Sequence, residues 1–409
     1  MFENLVSQKA SQYIISDIKN GTFPRAVLFS GNSCSGKLTA ALEVSRVLSC
    51  QKKTGEWNCQ CPSCLRQKSL TSTNVLLLGP RDCFLEIQAA RETFLNAYKN
   101  NSSYIVAARY LYLRSIRKLT LRFSSILYQG DKNLSKIGAQ IQELNEYLEQ
   151  LDFPHALPPY EDTEKLCEKI NENALKLESD YFYKSIPISQ IRNMEEWAYI
   201  KSEEGKKTII IENADSMPTG VRNALLKILE EPPADCLFIL LTTRRNAVMP
   251  TILSRVRTYT FSDRTLDKQI EVIQRVFHKD NFNSTISDFL LSYLPVPINE
   301  LKKQADDFMY ELTHGSIPNT AELIKKCDKF VPKIELKIFL SEIAMCKSRL
   351  LHSPEGCLAS SELIKAVQES WENVNLYNQP VQSALENLIR EISRINQTYD
   401  KIITKALSS

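Results

Sequence analysis

The sequence predicts a chain of mixed class, an α/β domain on a parallel sheet followed by all-α segments. Three observations carry this expectation. Short apolar runs bounded by turn residues alternate with amphipathic helical stretches, as strands buried on both faces by crossover helices do. A glycine loop, Gly31–Lys37, joins the first apolar run to a helix. Beyond about residue 263 only helical periodicity remains.

In order, Ala10–Ile18 reads as a helix, Ala26–Ser30 as a buried strand, Leu38–Leu48 as a helix and Asn74–Leu78 as a second strand ended by Gly79-Pro80. From about 83 to 185 glycine nearly disappears and apolar residues recur at helical spacing, as in Ile105, Ala108, Tyr112, Ile116 and Leu119. Further amphipathic helices are predicted at Ile137–Leu151 and Thr163–Leu177, with prolines breaking the chain at 154–159. The α/β signal resumes with helix Ile188–Ile200, strand Lys207–Ile211, helix Thr219–Glu230 stopped by Pro232-Pro233, and strand Leu237–Leu241. A break at 315–318 divides the helical remainder, so the expected domains are 1–262, 263–318 and 319–409. There is no internal repeat.

A length of 409 residues and 43% hydrophobic content allow several packed cores. The net charge of +3 excludes a globally basic nucleic-acid binder, so any basic surface is local. No apolar run approaches the ~20 residues of a membrane span. The start, Met1-Phe2-Glu3-Asn4, lacks the basic and apolar regions of a secretion signal, and a cytoplasmic chain is expected. In that compartment the 11 cysteines are not a disulfide framework.

Three groups of residues carry chemistry. Gly31-Asn32-Ser33-Cys34-Ser35-Gly36-Lys37 has the spacing and strand-to-helix context of a phosphate loop, in which backbone N–H groups cradle phosphates and Lys37 neutralises charge. Leu38 stands where a magnesium-binding hydroxyl belongs, and Thr39 follows about 100° further round the helix. An ordinary glycine turn is the alternative. The strand Lys207–Ile211 runs into Glu212-Asn213-Ala214-Asp215. Glu212 is placed to approach magnesium, or simply to cap a neighbouring loop. Asn213 occupies the position of a catalytic base, and an amide orients water without accepting its proton. Cys50, Cys59, Cys61 and Cys64 lie within fifteen residues, a set suited to a tetrahedral structural zinc site, with a redox pair or free thiols as alternatives.

Asn223-Ala224-Leu225-Leu226-Lys227-Ile228-Leu229-Glu230-Glu231-Pro232-Pro233, then Leu241-Thr242-Thr243, then Pro250-Thr251-Ile252-Leu253-Ser254-Arg255 follow one another at a specific spacing. With Ile188-Ser189-Gln190-Ile191-Arg192 upstream, the chain resembles the AAA+ clamp-loader proteins of bacteria, the delta-prime and gamma/tau group. The resemblance spans most of 1–80 and 186–262 and is looser at the C-terminus, in Asn375–Pro380 and Leu385–Leu388. It implies a RecA-like domain over 1–262 with a zinc knuckle at 50–64, a helical lid at 263–318 and an α-helical collar at 319–409. It also implies roles. Arg255 would be an arginine finger reaching a neighbouring subunit's ATP, since a guanidinium is permanently charged and bidentate toward phosphate. Thr242 would be a polar sensor. Gly31, Ser35, Gly36, Lys37, Leu38, Thr39, Glu212 and Asn213 would line a site for ATP and magnesium.

The departures from the family pattern point to the delta-prime side. Lys37-Leu38 replaces Lys-Thr or Lys-Ser, Glu212-Asn213 replaces Asp-Glu, and 263–318 lacks a Gly-Ser-x-Arg sensor. The implied protein is a non-motor subunit of the DNA polymerase III holoenzyme, with weak or no ATPase of its own. Its implied partners are gamma/tau and delta in a hetero-oligomer, the sliding clamp indirectly, and primed DNA. In the knuckle only Gln60 separates the second and third cysteines, where the family usually has two residues.

The segment of about 83–185 has no family counterpart. Arg109, Arg114, Arg117, Lys118 and Arg122 interleave there with Tyr110, Tyr112 and Phe123. It reads as a helical hairpin packed on the core, with its arginines solvated or paired to Glu143–Asp152; a DNA- or partner-binding helix is the alternative. Two rival functions stand beside the first: an active gamma/tau-type ATPase, and a nucleic-acid-binding adaptor working through this insertion.

Overall fold

The computed structural model describes residues 1–202 and 205–408. It divides into two compact units, Met1–Leu290 and Leu291–Ser409. The first unit holds five parallel strands, β1 (Ala26–Ser30), β2 (Val75–Leu78), β3 (Lys207–Ile211), β4 (Cys236–Thr242) and β5 (Arg257–Thr260), in the order β2-β3-β4-β1-β5. The α/β plus all-α class read from the sequence is the one observed. Four strands coincide with the apolar runs. β5 carries no such signal, because only Tyr259 of its four residues is buried at the sheet edge.

The helices of this unit are α1 (Ala10–Lys19), α2 (Lys37–Leu48), α3 (Pro62–Ser69), α4 (Phe84–Lys99), α5 (Ile105–Thr120), α6 (Leu134–Leu151), α7 (Tyr160–Tyr181), α8 (Ile188–Tyr199), α9 (Thr219–Glu230), α10 (Pro250–Leu253) and α11 (Leu266–Phe277). Side chains alternate across the sheet as strand geometry requires. Val27, Phe29, Ile210, Ile239 and Leu241 form one core with α1 and α2. Leu28, Ile209, Ile211, Phe238 and Leu240 form the other, with residues of α4 to α9. The insertion is therefore a continuation of the second core, not an appendage. It also reaches the residues just after α11, where Lys279 pairs with Glu92 at 2.6 Å and Tyr104 stacks on His278 at 3.6 Å.

The first unit ends in α12 (Ile286–Leu291), and the second contains α13 (Ile298–Thr313), α14 (Thr320–Lys326), α15 (Ile334–Met345), α16 (Lys347–Leu350), α17 (Pro354–Asn375), α18 (Val381–Thr398) and α19 (Ile402–Ser408). The proline break at 315–318 is the turn between α13 and α14 and lies inside this unit, where α13 packs on α15 and α18. The apolar faces of α13, α15 and α18 close its core through Leu301, Phe308, Phe339, Leu385 and Leu388. No helix among the described residues is long and apolar enough to cross a membrane.

Glu335, in the first turn of α15, is fully buried. One carboxylate oxygen accepts the Val296 N–H at 2.9 Å, while the other has no hydrogen-bond partner. Burial, helped by the charge of Asp328, pushes its pKa up to about 7. Between about 4.5 and about 7 the folded chain thus holds a proton that the unfolded chain releases, and stability falls as pH rises through that window. Glu335→Gln is expected to gain on the wild type by on the order of 2 kcal/mol at pH 8 and by almost nothing at pH 4.5. Thermal unfolding of the two full-length chains across that range measures the difference.

Candidate functional site

The carboxyl ends of β1, β3 and β4 meet where parallel sheets bind ligands, beside a point at which the strand order reverses. The loop after β1 leaves the sheet at Gly31 and enters α2 at Gly36. A side chain at Gly31 would place its Cβ 2.3 Å from the Phe261 carbonyl oxygen. Gly36 caps α2 with φ +92°, a conformation that glycine adopts without strain. Residues after β5 fasten the loop. Arg264 donates to the carbonyls of Val6 and Cys34 at 2.9 and 2.8 Å, and Asn32 donates to the Asp263 carboxylate.

Lys37 is folded into this loop. Its ammonium donates to the carbonyls of Gly31 and Asn32 at 2.6 Å each and to the Ser35 hydroxyl at 3.3 Å. Burial lowers it to about 8, against the opposing pull of Glu212. The next residue, Leu38, is buried in the core, and Thr39 is half-buried one position on.

The end of β3 departs from the expectation for Glu212. Arg81 donates to one of its carboxylate oxygens at 3.0 Å and Arg122 to the other. Arg122 comes from a single helical turn, Leu121–Phe123, that follows α5, and it also donates to the Gly79 carbonyl at 3.1 Å. Burial pushes the Glu212 carboxyl up, but the two guanidinium groups outweigh it and hold the group below the ordinary carboxylate range. Arg81 continues to Glu86 at 3.0 Å, and Lys118 pairs with the other oxygen of Glu86. Glu86 is held down to about 2 by these two cations despite its burial. Magnesium fits this site poorly: its carboxylate is occupied by two cations and its hydroxyl is replaced by Leu38.

Asn213 takes a left-handed conformation at φ +53°, and its amide donates to the Pro80 carbonyl at 2.6 Å. Thr242, at the end of β4, donates its hydroxyl to Asp215 at 2.7 Å. Arg244 holds the other oxygen of Asp215 at 3.0 Å. The sequence offers no signal that Arg81, Asp215 and Arg244 belong to this site, and it places Arg122 in the basic run of the insertion instead. Asp215 was in view as the end of the acidic run, whereas Arg122 meets Glu212 from 90 positions away, and no local pattern announces that pairing.

Arg255 follows α10 and meets the last residue of α9, Glu230. It is 29% exposed, pairs with the more exposed Glu230, and donates to the Thr251 carbonyl at 2.7 Å.

The four cysteines converge. The Sγ atoms of Cys50, Cys59, Cys61 and Cys64 lie within 4.8 Å of one another, all buried, with Cys50 and Cys59 3.7 Å apart. Sulfurs on a tetrahedral zinc with ~2.3 Å bonds stand at about this spacing. The single residue between Cys59 and Cys61 is therefore no obstacle to bringing the sulfurs together. Such a group is able to hold a metal ion. Cys61 is lowered to about 6, because the Cys64 N–H and neighbouring donors overcome its burial, while burial pushes Cys64 up to about 12. Arg46, itself buried, donates to Cys64 Sγ at 3.3 Å and ties the cluster to Glu43 and to the carbonyls of Gly55 and Glu56.

The basic run of the insertion points inward. Arg109 donates to the carbonyls of Leu151, Asp152 and His155 and lies over the Phe153 ring at 4.1 Å. Arg114 and Arg117 donate to the carbonyls of Lys68 and Ser69 at the end of α3, and Arg117 also pairs with Asp152. Tyr112 and Phe123 are core residues. These side chains hold the knuckle and the sheet end in place, so they do not form a nucleic-acid-binding face.

Comparison with known proteins agrees in one direction. The family model described as "DNA polymerase III, delta subunit" matches residues 6–134 and 124–265. The chain is 40% identical over 78 residues to the DNA polymerase III subunit delta' of Bacillus subtilis, which is 19% of this chain and 24% of that one. It is 34% identical over 80 residues to the delta' subunit of Pseudomonas aeruginosa, again 19% and 24%. It is 46% identical over 55 residues to the tau subunit of Bacillus subtilis, 13% of this chain and 10% of that one. The chain thus matches a quarter or less of the length of these relatives. A solved Thermotoga maritima protein related to the gamma subunit aligns over 56% of this chain and 90% of its own, with 17% identity and a TM-score of 0.25. The family match spans well over half of the 409 residues, including the segment 83–185 that the sequence left without a family counterpart, and the chain belongs to the DNA polymerase III delta-subunit family.

Proposed function

We propose that this chain is a delta-prime-type subunit of the clamp loader of DNA polymerase III, which presents Arg255 to the ATP of a neighbouring subunit and does not hydrolyse ATP itself. One contrast supports the reading best. At the chain's own phosphate loop the base position carries an amide, Asn213, and the acidic partner Glu212 is held by two arginines. Arg255, by comparison, sits at the surface in an ion pair that is easily exchanged. Exposed pairs of this kind are worth less than about 1 kcal/mol, so transferring the guanidinium from Glu230 to a phosphate is not opposed by much.

The loop around Lys37 serves in this account as a phosphate cradle without turnover. The four cysteines hold a structural zinc that closes residues 50–64 into a knuckle. An AAA+ domain covers 1–262; the lid expected over 263–318 and the collar expected over 319–409 share one compact unit from 291 onward, and the collar would join the chain to gamma/tau and delta subunits in a cytoplasmic hetero-oligomer. The assembly would act on the sliding clamp and primed DNA.

Mixing the purified chain with gamma/tau and delta subunits tests the proposal. Co-elution as one hetero-oligomer, with ATP turnover by the mixture and none above background by this chain alone, is the expected result. Turnover by the isolated chain that disappears in Lys37→Ala would instead support a gamma/tau-type ATPase.

A further inference from the structure

Magnesium in a phosphate-loop ATPase bridges a hydroxyl, an acidic strand end and the phosphate oxygens, and so supplies positive charge between carboxylate and phosphate. Here that place is filled by the protein. Glu212 receives a guanidinium on each oxygen. Arg122 is fully buried, and its other terminal nitrogen binds the Gly79 carbonyl, which leaves it no freedom to withdraw. A Cβ at Gly79 would lie 2.4 Å from the Glu212 carbonyl oxygen, so β2 and β3 approach each other closely at this point. Arg81 is different. It is 34% exposed and its charge acts on both Lys37 and Cys34 of the loop. Around Glu212 and Glu86 the chain sets three cations, Arg81, Arg122 and Lys118, and of these Arg81 is the one whose charge is felt in the loop.

We propose that Arg81 and Arg122 stand in for the divalent cation at Glu212, so that this loop takes a nucleoside triphosphate or inorganic triphosphate in its metal-free form. This rests on the reading of residues 31–37 as a phosphate cradle. Arg122 holds Glu212 in place, Arg81 supplies the charge that faces the ligand, and Lys37 exchanges its carbonyl partners for phosphate oxygens. The insertion thereby acquires a role at the site, because the turn that follows its α5 carries Arg122.

Calorimetric titration of the full chain with ATP, in EDTA and then in excess magnesium, tests this. Affinity equal within about threefold in the two buffers is expected, with inorganic triphosphate behaving alike. Arg81→Ala is expected to weaken ATP binding about tenfold in EDTA. Glu212→Gln distinguishes the roles. A counter-ion fastening two arginines predicts a lower Tm with metal-free affinity retained, whereas a metal ligand predicts an unchanged Tm and loss of magnesium-linked affinity. Binding at least tenfold tighter in magnesium, dependent on Glu212, would overturn the proposal. So would no binding in either buffer, which would leave the Arg255 reading standing, since that is measured on a neighbour's turnover.

Discussion

Arg255→Ala is expected to lower ATP turnover by the reconstituted assembly about 10³-fold, the smaller end of what an arginine finger contributes. The size follows from the charge that builds on the transferring phosphoryl group, which a guanidinium meets with two N–H donors at no protonation cost. Arg255→Lys should recover little of the loss, because an ammonium keeps the charge and loses the fork. The isolated chain should barely notice either change. Among the described residues Arg255 pairs with exposed Glu230 and with local carbonyl and hydroxyl groups, so its removal is worth less than about 1 kcal/mol. Co-elution with the partners and an unchanged Tm, alongside lost turnover, would distinguish a group acting in trans from a structural one.

The second large effect belongs to the cysteine cluster. On the proposed zinc reading, Cys64→Ser is expected to leave the chain without zinc, measured by atomic spectroscopy, and to expose residues 50–61 to protease. Four sulfurs within 4.8 Å cannot all ionise without a cation between them, and the loop that carries them has little core besides the cluster itself. Chelation should reproduce the variant. Damage is expected to stop near α3, since Arg114 and Arg117 hold its C-terminal carbonyls from the insertion and need no metal to do so. A zinc-free chain with the wild-type Tm and proteolytic pattern would remove the metal from the account.

Much of this was legible in the sequence because its signals are local. β1 to β4 are apolar runs whose neighbours must cover both faces, and their alternation with helices leaves few sheets but a parallel one. The loop at 31–37 and the cysteines at 50–64 are contiguous, so their chemistry is visible in a short window. β5 escaped because an edge strand with polar outward residues has no apolar run to show. The partners of Glu212 escaped for another reason. Arg81 and Arg122 meet it across 131 and 90 positions, and only the packing of α4 and α5 on the sheet brings them there. The same packing explains why the basic run of the insertion reads in sequence as a candidate binding helix and in the fold as a set of anchors. A buried arginine that binds carbonyls and one that faces solvent look alike in sequence.

The direct measurement is ATP turnover by two assemblies that differ only in this chain, one carrying Arg255→Ala and the other Lys37→Ala. If the chain works on its neighbour's nucleotide, the first assembly loses turnover about 10³-fold and the second keeps at least half of it. Full turnover with Arg255→Ala, or its collapse with Lys37→Ala, would contradict the account.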